Sequence, residues 1–319
     1  MAGTPLLELI ARLEDLRQSR VLLYMGQDRG QFSHRISEDD VSVLFQGLRQ
    51  SEPVERLDLV LHTMGGSIST VHWLCHLFHA YGKHFSVLVP TKARSAGTLL
   101  CLGAHEIVMG PFAQLGPIDP QMAPHESSAS GNRSMIAAED IREFRNMAKG
   151  WFDIKEQEYH IQLLQLLCER IFPSSLTAFF RAEQQIAATT EQHLRLHLPA
   201  ASPEERQKIA NYFIQGCYAH DQIITREDAR ELGLNVLDSS RQEEILLWQI
   251  WETCSQDLLA PVSAIAHEVG QHPSALVASR DFLARCVAHV MAMPGENEQG
   301  QLIIEKRWET IQERMHIAL

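Results

Sequence analysis

No window of this 319-residue chain collects the roughly 18–20 apolar residues that a membrane span needs. The N-terminal stretch LLELIARLEDLRQ is no secretory signal either. It sets Leu6, Ile10, Leu13 and Leu16 on one helical face and interrupts them with Glu8, Glu14 and Asp15. Positive charge is scarce: 28 Lys and Arg stand against 40 Asp and Glu, for a net charge of −12 and no basic run. Phosphate backbones are held by the opposite balance, so non-specific nucleic-acid binding is disfavoured and no nucleic-acid partner is expected. The six cysteines (Cys75, Cys101, Cys168, Cys217, Cys254, Cys286) form no CxxC pair and are widely spaced. They read as reduced thiols in a cytoplasmic protein without a membrane partner. GxxxxGK[ST] and GxGxxG are both missing, which argues against a nucleotide cofactor, and GxSxG is missing, which excludes the nucleophile elbow of α/β-hydrolases.

Glycine is sparse as well, 18 in all, and where it occurs therefore carries weight. HTMGGSIST places Gly65 and Gly66 at the end of an apolar run, and TKARSAGTLL places Ser95-Ala96-Gly97 at the end of the next. The runs RVLLYMG, LDLVLHT, FSVLVPT and HEIVMGP are too short for helices and read as strands. Between them lie helical patterns: one capped by Ser37 with Asp40 three residues on, one stopping at Gly82, and the short AGTLLCLGA. Alternation of this kind implies parallel crossovers and an α/β core. A polar loop, APHESSASGNRS, follows. Helix is expected from Ala138 to Leu198 with a break at Pro173, then a short helix capped by Thr225 and stopped at Gly233, then helix again from about Asp238.

A serine before a helix is ordinarily an N-cap. Ser95 has a second reading, because acyl transfer needs a hydroxyl beside two amide donors, and small residues let a backbone approach that closely. The Gly65-Gly66 turn and the Ala96 amide could supply those donors at the carboxyl edge of a parallel sheet, where sites gather. Asp119, in LGPIDPQ, precedes Pro120 and so has a fixed direction, which suits an orienting acid or an ordinary turn equally. His72, His76 and His79 share one helical face. They could bind zinc, but no carboxylate stands nearby in sequence, so no metal is expected.

Taken in order, MGGS, KARSAGTLLCLGAHEIVMGP, LGPIDPQ and HDQIITREDARELGL resemble the serine dehydrogenase proteinase family, Clp-fold serine peptidases related to ClpP and signal peptide peptidase A. The resemblance runs from Arg20 to Val236. It implies a ClpP/crotonase-like spiral of parallel strand–helix units over residues 1–237, with a helical extension of unknown role over 238–319. It also implies a cofactor-independent serine endopeptidase acting on peptides or proteins as a homo-oligomer. Carried over motif by motif, Ser95 is the nucleophile, Asp119 the acid and His220 the base, with Gly65, Gly66 and Ala96 at the oxyanion. Ile223 stands where the family has proline, and Lys149 and Lys92 are alternative bases by analogy with Ser–Lys relatives. Many relatives begin with a membrane anchor, and no such segment opens this sequence, which points to a soluble branch. A crotonase-like acyl-CoA enzyme and an inactive scaffold are the rival functions.

Overall fold

A computed structural model describes residues 3–28, 33–118, 120–122, 136–152, 157–217, 219, 221–258, 270–293 and 301–313. In chain order they form α1 (Gly3–Arg17), β1 (Arg20–Gly26), α2 (Glu38–Leu48), β2 (Val54–His62), α3 (Ile68–Tyr81), β3 (Gly82–Val89), β4 (Lys92–Ala93), α4 (Ala96–Cys101) and β5 (Glu106–Met109). Then come β6 (Gln114–Leu115), β7 (Gln121–Met122), β8 (Ile136–Ala137), α5 (Ala138–Phe152), α6 (Gln157–Arg170), α7 (Pro173–His197), α8 (Pro203–Gln215), α9 (Arg226–Glu231) and β9 (Val236–Asp238). The chain continues with α10 (Arg241–Leu258), β10 (Gly270–Ser279), β11 (Phe282–Met293) and β12 (Gln301–Glu313).

Eight strands make one sheet in the order β12-β11-β10-β1-β2-β3-β5-β9. The five from β1 to β9 run parallel, so both of their faces need cover, and their central residues are mostly apolar. The period of two divides them cleanly. Leu22, Tyr24, Leu59, Leu61, Phe85, Val87 and Ile107 face a core shared with α2, α3, α4 and α8. Val21, Leu23, Val60, Leu88 and Val108 face a second core under α1 and α10. This is a mixed α/β architecture of the expected ClpP-like class.

One expectation fails at the C-terminus. Helix was expected from about Asp238 onward, and only Arg241–Leu258 is helical among the described residues. Strands β10, β11 and β12 follow as an antiparallel meander that joins the sheet through β10 and β1. In β12 the apolar residues Ile304, Trp308 and Ile311 lie at helical spacing, so the local pattern points to the wrong element and pairing with β11 overrides it. The charged residues Glu305, Lys306, Arg307 and Glu309 suit an outermost strand, which such side chains protect from further pairing.

The amphipathic first helix is partnered along most of its apolar face, with Leu16 left exposed. Leu6, Ile10 and Leu13 are buried against Leu246, Leu247 and Ile250 of α10. Its last turn is anchored by Arg17, which pairs with Asp58 of β2, Glu106 of β5 and Glu243 of α10. By contrast, α5 to α7 leave Trp151, Ile161, Leu164, Phe172 and Phe180 exposed. No helix among the described residues is long and apolar enough to cross a membrane.

Candidate active site

The two small-residue junctions meet. A methyl group placed on Gly65 would sit 2.7 Å from Ser95 Cβ and 3.1 Å from the Ala96 nitrogen. Gly65 has φ 104°, a conformation open to glycine and strained for other residues. Gly66 is pressed against the chain on its other side, where a Cβ would meet the oxygen and nitrogen of Ile36 at 2.3 and 2.4 Å.

Ser95 does not cap α4. Its backbone has φ 52° and ψ −119°, and its side chain makes no capping hydrogen bond. Gln18 is the one other non-glycine residue with positive φ among the described residues. Such a conformation costs about 1–3 kcal/mol and persists where surrounding structure enforces it, often at reactive sites. Here the enforcement is visible. Thr63 N–H donates to Lys92 O and Arg94 N–H donates to Thr63 O, at 2.9 and 3.1 Å, fixing the strand that leads into Ser95. The hydroxyl of Thr98, fully buried, lies 2.8 Å from Ala93 O and 2.9 Å from Gly116 O and accepts from Gly116 N–H at 3.0 Å. The Ser95 hydroxyl itself is left without a hydrogen-bond partner among the described residues.

The candidate oxyanion donors are not equivalent. Gly65 N–H is already engaged, donating to Thr63 Oγ1 at 3.0 Å. The amides of Gly66 and Ala96 have no acceptor among the described residues. Of the two glycines, only Gly66 keeps an N–H without an acceptor among the described residues.

Ile36 braces the glycine turn. Its N–H donates to Gly65 O at 2.9 Å and its carbonyl accepts from Ser67 N–H at 2.8 Å. The segment around Ile36 is held in turn by the buried carboxylate of Asp40, which accepts from Ser37 N–H and does more than complete the expected capping box with Ser37. It also accepts from Tyr24 Oη at 3.0 Å, Trp308 Nε1 at 3.0 Å and His34 Nε2 at 2.9 Å. Burial alone would push His34 down; its hydrogen bonds to Asp40 and Cys286 outweigh that and raise it to about 9.

At the other end of α4 the carbonyls are taken by histidines. His193 Nδ1 donates to Leu99 O, His197 Nδ1 to Ala104 O and His79 Nε2 to Gly103 O, at 2.8, 2.6 and 2.7 Å. Nε2 of His193 faces His72 Nδ1 at 3.2 Å, and Nε2 of His197 accepts from Asn235 N–H at 3.0 Å. Burial lowers both His193 and His197 to about 4. The histidine stripe on α3 is therefore a seam between α3, α4 and α7, and no group of His, Cys, Asp or Glu able to hold a metal occurs among the described residues.

Asp119 and His220 lie outside the described residues. Their described neighbours are joined: Leu115 and Ile224 exchange two backbone hydrogen bonds of 2.9 and 3.1 Å, and Ile118 N–H donates to Phe213 O at 2.8 Å. Ile223, at the position where the motif departs from proline, is exposed. Of the alternative bases, Lys149 is exposed on α5 and Lys92 is paired with Asp28 at 2.6 Å. Sequence reasoning passed over Thr63, Thr98 and His34. Only the Ser37–Asp40 spacing hinted at that buried network.

Two proteins of Methanocaldococcus jannaschii, both described as uncharacterized, resemble this chain. One is 24% identical over 245 residues, 75% of each chain. The other is 23% identical over 234 residues, 73% of this chain and 67% of its own. Among solved structures, a mutant of a membrane-bound stomatin-specific protease matches 67% of this chain and 79% of its own, with 18% identity and a TM-score of 0.38. Residues 7–141, a stretch that includes Gly65, Gly66, Ser95 and Asp119 but ends before His220, match the family model of the ClpP-like SDH-type serine proteinases.

Proposed function

We propose that the protein is a serine endopeptidase that cleaves peptide bonds through an acyl-enzyme on Ser95. The observation that carries this reading is the strained, uncapped Ser95 packed directly against the Gly65-Gly66 turn. Ser95 Oγ attacks the scissile carbonyl and His220 takes its proton; the resulting oxyanion accepts from Gly66 and Ala96 N–H. Collapse expels the amine, which takes the proton from His220. Water, activated by the same imidazole, then frees the enzyme. Asp119 orients the ring. The bonds between Leu115 and Ile224 support this convergence, because they tie together the segments flanking the two residues.

The reading extends to assembly and setting. The apolar side chains left bare on α5 to α7 form a surface suited to self-association, so a homo-oligomer is expected. None of the six cysteines is in a disulfide, which fits a reducing cytoplasm.

Intact mass after treatment with a fluorophosphonate, followed by peptide mapping, tests the chemistry. One adduct on Ser95 is expected, and Ser95→Ala should remove both the adduct and hydrolysis, with a loss of about 10⁴–10⁶ in kcat. His220→Ala should be nearly as severe, and Lys149→Ala should leave turnover largely intact. Labelling of no residue would favour a scaffold, and turnover of CoA esters without labelling a crotonase-like enzyme. A dead Lys149 variant beside an active His220 variant would move the site to a Ser–Lys mechanism.

A further inference from the structure

A cavity opens at the carboxyl edge of β1, β2 and β3, on the face covered by α10. It encloses about 170 Å³ and is lined by Asp28, His62 and Lys92 together with Met25, Phe112 and Trp251. That is smaller than the roughly 300–1,000 Å³ of pockets for drug-sized ligands, so it suits a small molecule. His62 is buried, and its Nδ1 is hydrogen-bonded to Thr91 Oγ1. Its Nε2 makes no hydrogen bond among the described residues and stands 3.8 Å from Asp28 Oδ2. Burial first, and Lys92 second, hold this ring low, to about 4, against the opposing pull of Asp28, so it is a neutral imidazole at neutral pH. The Lys92 ammonium lies 2.6 Å from the same carboxylate. Among the described residues this lining presents a carboxylate, an ammonium and one ring nitrogen without a hydrogen bond, with Gln27, Thr91 and Ser255 and apolar walls beside them.

Charge decides among ligands. A metal ion would have Asp28 and His62 as ligands but would face the Lys92 ammonium at close range. An anion such as phosphate would meet one cation and, beside it, a carboxylate that repels it. A molecule carrying both signs close together answers both groups at once, and in an α-amino acid the ammonium and carboxylate are one carbon apart. Phe112, Trp251 and Met25 would then cover an apolar side chain. In open parallel sheets this strand edge is where small ligands collect.

We propose that this cavity binds a small zwitterion, a free α-amino acid with an apolar side chain, its ammonium on Asp28 and its carboxylate on Lys92. Ser95, Gly66 and Ala96 are not among the lining residues, and only Lys92, through its carbonyl, also belongs to the strand leading into Ser95, so the proposal is tested apart from the peptidase reading.

Isothermal titration of the full chain with L-leucine, N-acetyl-L-leucine and L-leucinamide tests it. Leucine should bind at least about tenfold more tightly than either blocked form, a difference of about 1.4 kcal/mol. Asp28→Asn and Lys92→Met should each weaken leucine by about tenfold or more, and His62→Gln, the mildest change, by a few-fold. Ser95→Ala should bind leucine like the parent, which separates this cavity from product binding at the acyl site. Circular dichroism establishes that each variant is folded; if a charge variant is not, His62→Gln and the blocked ligands still decide. No heat from leucine up to about 10 mM, a concentration matching a binding energy of under 3 kcal/mol, would overturn the proposal. So would equal binding of the blocked forms, or loss of binding in Ser95→Ala.

Discussion

The two junctions at the candidate active site are braced by histidines in opposite charge states. The Gly65-Gly66 turn rests on Ile36, and the Ile36 segment rests on a buried pair of His34 and Asp40 in which the imidazole is raised to about 9 and carries charge at neutral pH. Helix α4, which begins after Ser95, is held at its far end by His193 and His197, both lowered to about 4 and neutral. The difference lies in what each ring faces. His34 meets a carboxylate, whereas His193 and His197 each give one N–H to a carbonyl and present the other nitrogen to a donor. One side of the site needs its proton and the other must not gain one. The carbonyl end of α4 is satisfied by these rings and by the amides that follow it, while the Ala96 amide has no acceptor among the described residues.

The comparison breaks most sharply at Gly66. Gly66→Ala would force a methyl group to within 2.3 Å of Ile36 O, so the turn or the Ile36 segment must move. The Gly66 amide then loses its aim. Removal of one oxyanion donor costs about 10²–10³ in kcat, and a loss of that order is expected with far-ultraviolet circular dichroism retained. Parent-like turnover in this variant would show that Gly66 supplies no donor to the reaction.

Next in size is Asp40→Ala, read as stability. It strands a buried imidazole and frees Tyr24 Oη and Trp308 Nε1 from their acceptor. Breaking one partner of a buried pair costs about 3–5 kcal/mol, measurable by urea unfolding. Because Trp308 belongs to β12, its fluorescence should also shift to the red. A cost below about 1 kcal/mol would mean that the glycine turn is held by backbone pairing alone.

How far this arrangement could be read from the sequence depends on how local its causes are. The strand RVLLYMG, the Ser37–Asp40 capping box and the helix after Ser67 are set by spacing within a dozen residues, and each stands where the sequence puts it. Thr225 likewise caps its helix with Asp228, and Pro173 opens α7. The meeting of Gly65 with Ser95 was legible only as a shared pattern at two strand ends. The backbone strain at Ser95 has no signal in SAGT itself, since a serine before a helix is ordinarily its N-cap. Asp40 gathers Tyr24, His34 and Trp308, the last separated from it by 268 positions, and no local pattern announces such a partner. The strands after Gly270 escaped for the same reason: long-range pairing, not periodicity, decides them.

The smallest expected effect is the most informative about the two braces, because one titration reads both. For His193 and His197 the folded values, about 4, lie below the unfolded value near 6.5, so these rings oppose protonation in the folded state. Their contribution is complete above pH ~6.5 and is lost as pH falls toward 4, by as much as about 3 kcal/mol each if the folded rings stay neutral throughout. Protonated Nε2 of His197 would become a donor facing the Asn235 N–H, and protonated His193 would face His72, with His76 and His79 adding like charge. The other groups packed there are the Cys75 thiol and the His105 ring; Glu106 acts on His105, itself lowered by burial. For His34 the folded value, about 9, lies above 6.5, so its contribution is complete below that pH and fades as pH rises through 9. Around His34 stand Asp40, Tyr24, Cys286 and, beyond Asp40, Lys306. Melting temperature against pH should therefore fall on both sides of a maximum between about pH 6 and 7.5. His197→Gln should flatten the acid limb alone, because glutamine keeps a donor to Ala104 O without a titrating group. His34→Gln should flatten the alkaline limb alone. If either variant changed both limbs equally, the two braces would be one coupled network and the opposition between the junctions would not hold.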